Sequence, residues 1–471
     1  MNIDSNGKDM NLEFNKNITI IGNRTLWRPM KLVQGYLLIV FILFAFGPWP
    51  WPIIDKMLVN IYIISAQLLL IFGYSLSIKN KDAILIANSF ENDTRKETDI
   101  NKIIRIILII SVILFIPTYM ARVGINSFNL GMFAEAFVDG LLDPGKQYYY
   151  KLSIQSQMPT NIILLLVIAI TSPFCWLLVP LTIVYWDKVK FKYKLGAMII
   201  FLLDIISWIS IGTNKGVFDN VFIISFSLLI KVCLENKTIK ISISAVKSKL
   251  KLIIFLTGSI SAAIIYLINS IKSRLGRLNY YYKAADIYVN KDSLIMQIIP
   301  DFLNDIVIVV TSYTTQGYYG LSLAMREDFT PTFGFGSSWF LLNLHEKITG
   351  DTALRLYTYP FKLIKYGWDP YINWHSIYAW LASDFSFVGT LLLMVLIGYL
   401  FGEVWKSILF KQNVFAMGLF VLLMIMFMYF PANNQIFAYT HTFSAFWGLF
   451  AFWMFTYKIK QYKWGRYHGN R

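Results

Sequence analysis

The sequence predicts an all-α, polytopic helical membrane protein, and three observations carry that reading. Of the 471 residues, 56% are hydrophobic and only 15% are Asp, Glu, Lys or Arg, where a soluble chain carries roughly a quarter charged residues. The mean hydropathy is +0.53. The apolar residues also fall in blocks of about 20, the length a helix needs to cross a bilayer. Composition alone therefore excludes an ordinary soluble enzyme. The formal net charge of +16 would point to nucleic acid in a soluble chain. Here it is read as the Lys and Arg excess that fixes topology in short loops, and no nucleic-acid partner is expected.

The blocks give about ten spans, at 34–54, 57–78, 103–120, 161–186, 194–212, 217–234, 252–270, 382–404, 413–432 and 436–456. The fourth carries Pro173 and Pro180 and is long enough to tilt or break. A mixed N-terminal stretch precedes the first apolar run, which is too long for a signal-peptide core, so no cleaved signal is expected. Basic residues test the count. With the N-terminus inside, Arg24, Arg28 and Lys31, then Lys79 and Lys102, the turn 187–194, the segment 231–251, Lys406, Lys411 and the basic tail all lie on the cytoplasmic side. The short external turns hold only Lys56 and Lys215. Both termini are thus expected in the cytoplasm.

Two external segments exceed a minimal bundle, 121–160 and 271–381. Long connections without regular structure are uncommon and usually functional. The second is rich in Tyr and Trp and is expected to form a small cap on the membrane. Within it, 301–325 is semi-apolar. Asn304, Asp305, Gln316 and several Thr and Ser residues argue against an eleventh span, so it reads as a re-entrant or interfacial helix. The organisation expected is 1–270 (spans one to seven), 271–381 (the external cap) and 382–471 (spans eight to ten). Cys175 and Cys233 are too far apart in this arrangement for a disulfide, and no metal-ligand spacing is present. No metal or other cofactor is expected.

Cytoplasmic cations are explained by topology, but external arginines run against it. Arg122, Arg274, Arg277, Arg326 and Arg355 are therefore candidates to bind phosphate through the guanidinium fork. Arg274 and Arg277 share a face if the seventh helix continues. His375, just before span eight, and Asp384, at its outer lip, are candidate bases. Asp204, near the middle of span five, is an acid placed where it is costly. Gly334 and Gly336, within 331–338, form a turn whose N–H groups can cradle an anion.

The run Thr311, Tyr313, Gln316, Gly317, Tyr318, Tyr319, Gly320, Leu321, Ser322 and Leu323, followed by Phe333 to Gly336, resembles Wzy-type O-antigen polymerases, as does Trp374 to Gly389. The plan of many spans with one dominant late external loop is similar too. None of the five arginines keeps the Arg-to-Gly spacing of eleven that some members carry. The resemblance implies a glycosyltransferase of the bacterial inner membrane that acts on undecaprenyl-pyrophosphate-linked oligosaccharide as donor and acceptor. It also implies membrane lipid and a chain-length regulator protein as partners. External arginines would hold the pyrophosphates, and Gln316, Tyr318 and Tyr319 would contact substrate. O-antigen ligases share the architecture. A flippase or exporter of the same lipid-linked unit is a further alternative, which would favour more spans and internal repeats.

Overall fold

The first helix, α1 (Asn23–Phe46), ends where the sequence becomes Gly47-Pro48-Trp49-Pro50-Trp51-Pro52. Three prolines in alternation remove donors and force extended backbone. The expected span 34–54 is therefore corrected: the helix begins near Asn23 and stops before the prolines. The computed structural model describes residues 23–79, 94–123, 125, 127–157, 162–235, 243–275 and 280–468. The chain is an all-helical membrane protein. Six of its described helices are long and apolar enough to cross a bilayer: α1, α2 (Lys56–Ile78), α3 (Thr94–Val123, apolar from Asp99), the pair α6 (Ile162–Cys175) and α7 (Leu178–Val184), α9 (Asn214–Glu235) and α16 (Ile377–Lys411).

Between these lie α4 (Leu130–Leu142), α5 (Pro144–Gln157), α8 (Phe191–Ile209) and α10 (Ile243–Leu275). A two-residue hairpin, β1 (Tyr281–Tyr282) and β2 (Ile287–Tyr288), pairs antiparallel with Tyr281 opposite Tyr288. After it come α11 (Leu294–Ile298), α12 (Asn304–Ala324), α13 (Trp339–Thr349), α14 (Ala353–Leu356) and α15 (Tyr359–Lys362). The chain closes with α17 (Val414–Tyr429), α18 (Gln435–Ala438) and α19 (Thr440–His468). The fourth apolar block does break, between Cys175 and Leu178.

Contacts sort the bundle into two ends. At one, Trp405 donates to the Thr25 carbonyl (3.1 Å), Lys406 to that of Ser77 (2.7 Å), and Asn101 bridges Lys188 and Lys190. This end carries the basic clusters. At the other, Trp49 donates to the Ile308 carbonyl (3.0 Å), Asn290 to that of Pro48 (2.7 Å), Ser376 to that of Gly317 (3.2 Å) and Ile377 to that of Phe430 (3.0 Å). The α1–α2 turn, the hairpin, α12 and the α17–α18 turn are thus one layer. From Ile308 to Gly320, α12 meets residues of this layer, including Trp49, Trp51, Pro431 and Trp368. Cys175 and Cys233 are both free thiols.

Candidate functional site

The C-terminal turn of α3 delivers Arg122 to a cavity of about 160 Å³ inside the bundle. Its walls are apolar, from Leu114 and Phe115 of α3, Ile168 of α6, and Ile200 and Phe201 of α8. Its end toward the layer just described is charged. Arg122 pairs there with Asp204 of α8 (3.0 Å), donates to the Ser207 hydroxyl and lies 3.9 Å over the Trp208 ring. Asp204 also accepts from the Trp208 indole (3.1 Å) and Asn220 (2.9 Å). This is the partner that makes the mid-span acid tolerable: a buried carboxylate survives when paired and hydrogen-bonded.

In the first turn of α9, Lys215 pairs with Asp219, which also accepts from Tyr429 (3.2 Å). The Lys215 ammonium sits 4.8 Å over the Tyr439 ring. His441, in the first turn of α19, completes the cavity's polar rim. Arg274 stands nearby. Its guanidinium donates to the Gly212 carbonyl in the α8–α9 turn and lies 3.8 Å over Tyr148. Its Nε is buried without a partner. Burial, and after it the charges of Arg122 and Arg274, push the Lys151 ammonium of α5 down to about 8. Arg122 thus lines the cavity together with Asp204, Asp219 and His441, and Lys215, Arg274 and Lys151 stand around that rim without lining it. Of these groups the sequence singled out Arg122, Arg274 and Asp204. Lys151 and Lys215 were missed because nothing local distinguishes them from loop lysines.

The other expected site residues lie elsewhere. Arg277 falls outside the described residues. Arg326 is exposed, with Tyr366 5.8 Å away. Arg355 is committed to Glu346 (2.5 Å), Asn343 (2.7 Å) and Tyr371, between the rings of Trp339 and Phe361. It braces α13 against α14.

Gln316, Tyr318 and Tyr319 are all buried. The Gln316 side-chain carbonyl accepts from Tyr282 (2.7 Å) and from the Trp374 amide (3.1 Å). Tyr319 stacks on Trp51 at 5.5 Å and meets Trp368 edge-on at 4.9 Å. Tyr318 packs between Phe44 and Tyr378. The aromatic residues expected to offer faces to a ligand form the core of the layer. Their burial was not legible in the run itself because its partners, Trp49 and Trp51, lie far away in the chain.

His375 is also buried, at 1% exposure, and neither ring nitrogen has a hydrogen-bond partner. Desolvation pushes it down to about 3. It is neutral and closed off, which is a poor position for a base. The Asp384 carboxylate is occupied. It accepts from the Thr332 hydroxyl (2.6 Å) and the amides of Gly334 (2.8 Å), Gly336 (3.1 Å) and Ser337 (2.7 Å). The glycine-rich turn does cradle an anion, and that anion is this chain's own Asp384. The two features were read separately and are one structure. Among the described residues no group of three or more His, Cys, Asp and Glu could hold a metal ion.

No protein-family model matches the chain, and no curated protein or solved structure matches it significantly.

Proposed function

We propose that the chain is a polyprenyl-pyrophosphate-dependent glycosyltransferase that polymerises lipid-linked O-antigen repeat units. The growing glycan would leave its undecaprenyl pyrophosphate and join the non-reducing end of a new lipid-linked unit, at the periplasmic face of the bacterial inner membrane. The observation that carries this reading is the amphipathic cavity: apolar walls suit a prenyl chain, and Arg122 at its charged end, with further cations around that end, suits the pyrophosphate. Pyrophosphate is already a stabilised leaving group, so cations aimed at its oxygens supply the electrostatic work. The sequence resemblance at 311–323 supports the same reading.

In this proposal the chain crosses the membrane ten times with both termini in the cytoplasm. Residues 1–270 and 382–471 form the bundle, and 271–381 is a periplasmic layer with α12 at the interface. That layer is the face open to a chain-length regulator. Asp384 and Gln316 act as positioning residues, and Arg122 and Arg274 contact the pyrophosphate.

Deletion of the gene followed by a lipopolysaccharide gel tests the function. A polymerase leaves one repeat unit per core. Loss of all O-antigen would favour a ligase or a flippase. For the site, Arg274→Ala should slow polymerisation roughly 30- to 1000-fold through loss of a charge-assisted donor. Arg274→Lys keeps the charge without the fork and should be intermediate. Wild-type ladders from Arg274→Ala would remove it from the site.

A further inference from the structure

After α12 the chain turns apolar side chains outward at every second position. In 328–332, which carries no regular structure, and on to Phe333, exposure alternates. Phe329, Pro331 and Phe333 are exposed, whereas Thr330 is half-buried and Thr332 buried. Pro331 biases Thr330 to extended backbone, and a period of two puts alternate side chains on one side. Both inner hydroxyls are occupied. Thr330 accepts from Lys362 (2.9 Å), and Thr332 donates to the Ser383 carbonyl (2.8 Å) and to Asp384 (2.6 Å). Phe333 is the extreme case: its side chain is 83% exposed and its φ is 52°. A bulky residue rarely adopts this left-handed backbone. Here the bonds from the amides of Gly334, Gly336 and Ser337 to Asp384 hold it. Strain of this kind persists only where the surroundings enforce it, and what it presents is an outward aromatic ring.

The place of this turn identifies its surroundings. Asp384 lies at the head of the part of α16 that pairs with α2. One turn further on begins the row Val388, Leu392 and Leu396, exposed at every fourth position, which a membrane-crossing helix turns to lipid. Phe385, directly after Asp384, is exposed as well. The Phe387 carbonyl accepts from Tyr62 (3.2 Å) in the second turn of α2, so this level is where α2 enters the bilayer. We propose that Phe329, Pro331 and Phe333 dip into the bilayer leaflet at this end of the bundle, with Arg326 on lipid phosphate, and so pin the layer to the lipid-facing side of α16. The boundary between headgroups and acyl chains takes apolar side chains to a depth of about 5–10 Å. A sugar would need hydroxyl or amide partners, and Phe329, Pro331 and Phe333 offer none. Arg326, exposed at the start of the segment, takes part in none of the ion pairs among the described residues, and a guanidinium fork suits phosphate. The inference does not depend on the glycosyl-transfer reading.

Fluorescence quenching tests this. The purified full chain, with Cys175 and Cys233 replaced by serine, carries a single bimane-labelled cysteine as Phe333→Cys, Leu392→Cys or Asp351→Cys. It is placed in vesicles of phosphatidylglycerol and phosphatidylcholine. Leu392→Cys reports lipid, and Asp351→Cys reports water. When the phosphatidylcholine is replaced by its acyl-chain-brominated form, Phe333→Cys should lose fluorescence as Leu392→Cys does and Asp351→Cys does not, because bromine quenches only on contact. Quenching at position 333 no greater than at position 351 overturns the proposal. Aqueous iodide then shows what replaces it. Strong iodide quenching would leave the ring in water, open to a soluble ligand, and shielding from both quenchers would put it against protein, such as a second copy of the chain. Phe329→Cys is read in the same way and decides the matter if Phe333→Cys does not accumulate.

Discussion

Asp384 accepts four hydrogen bonds from one short turn, and that number decides how its substitution should behave. Each charge-assisted bond contributes about 1.5–3 kcal/mol, though not additively. Asp384→Ala orphans three backbone amides, while the Thr332 hydroxyl keeps the Ser383 carbonyl (2.8 Å), and should cost about 3 kcal/mol of stability. Asp384→Asn should cost less, because the amide oxygen keeps the Thr332, Gly334 and Gly336 donors and only the Ser337 amide faces the NH2. A catalytic base would behave otherwise, losing activity at unchanged stability, so melting in detergent beside a ladder assay separates the two. His375 gives a second test at this scale. Its folded value near 3 lies below the ordinary 6.5, so the unfolded chain binds more protons between those limits. Stability should therefore fall as pH drops through that window, by about 2 kcal/mol at pH 5. His375→Phe should flatten this part of the pH dependence of melting. An unchanged slope would mean that another group sets it.

The closest helix pairing is α2 with α16, and glycine makes it possible. A Cβ on Gly398 would stand 2.1 Å from the Leu70 carbonyl oxygen, and one on Gly73 would stand 2.0 Å from that of Val395. Small residues let helices approach in this way where no hydrophobic drive separates protein from lipid. Gly398→Val should force the pair apart, costing at least about 3 kcal/mol and lowering the amount of protein in the membrane. Gly35→Ala is the control: nothing lies within 4 Å of its added Cβ, so it should be neutral or stabilise α1 by up to about 1 kcal/mol. The helices themselves were legible from apolar length, because each satisfies its own backbone. The interruptions were less so. The three prolines after Gly47 were visible but were counted as part of a span. The break in α16 at Ser386 (φ 59°, ψ 171°) had no visible signal. Its cause is remote: two residues earlier Asp384 is held by 332–337, and Ser386 then caps the next turn through the Gly389 amide (3.3 Å).

At the scale of the whole molecule, charge placement was legible and pairing was not. The sequence shows that cations gather in alternate loops. It does not show that Arg122 meets Asp204, or that the 311–323 run buries its tyrosines on Trp51 and Trp368, since those contacts depend on how distant elements assemble. The two ends defined by contact therefore provide an independent check on the charge-based orientation. Asp351 is exposed in the layer with α13, at the end holding the α1–α2 turn, and Lys192 is exposed at the end with the basic clusters. Once Cys175 and Cys233 are replaced by serine, a cysteine at either position is the chain's single thiol. A membrane-impermeant maleimide applied to cells with a permeable outer membrane should label Asp351→Cys at once. Lys192→Cys should react only after the inner membrane is opened. The reverse pattern would invert the molecule and put the cation-lined cavity at the cytoplasmic face, where a periplasmic polymerase cannot work. Labelling of both from outside would break the span count between them, which an error at α8, α9, α10 or α12 would produce.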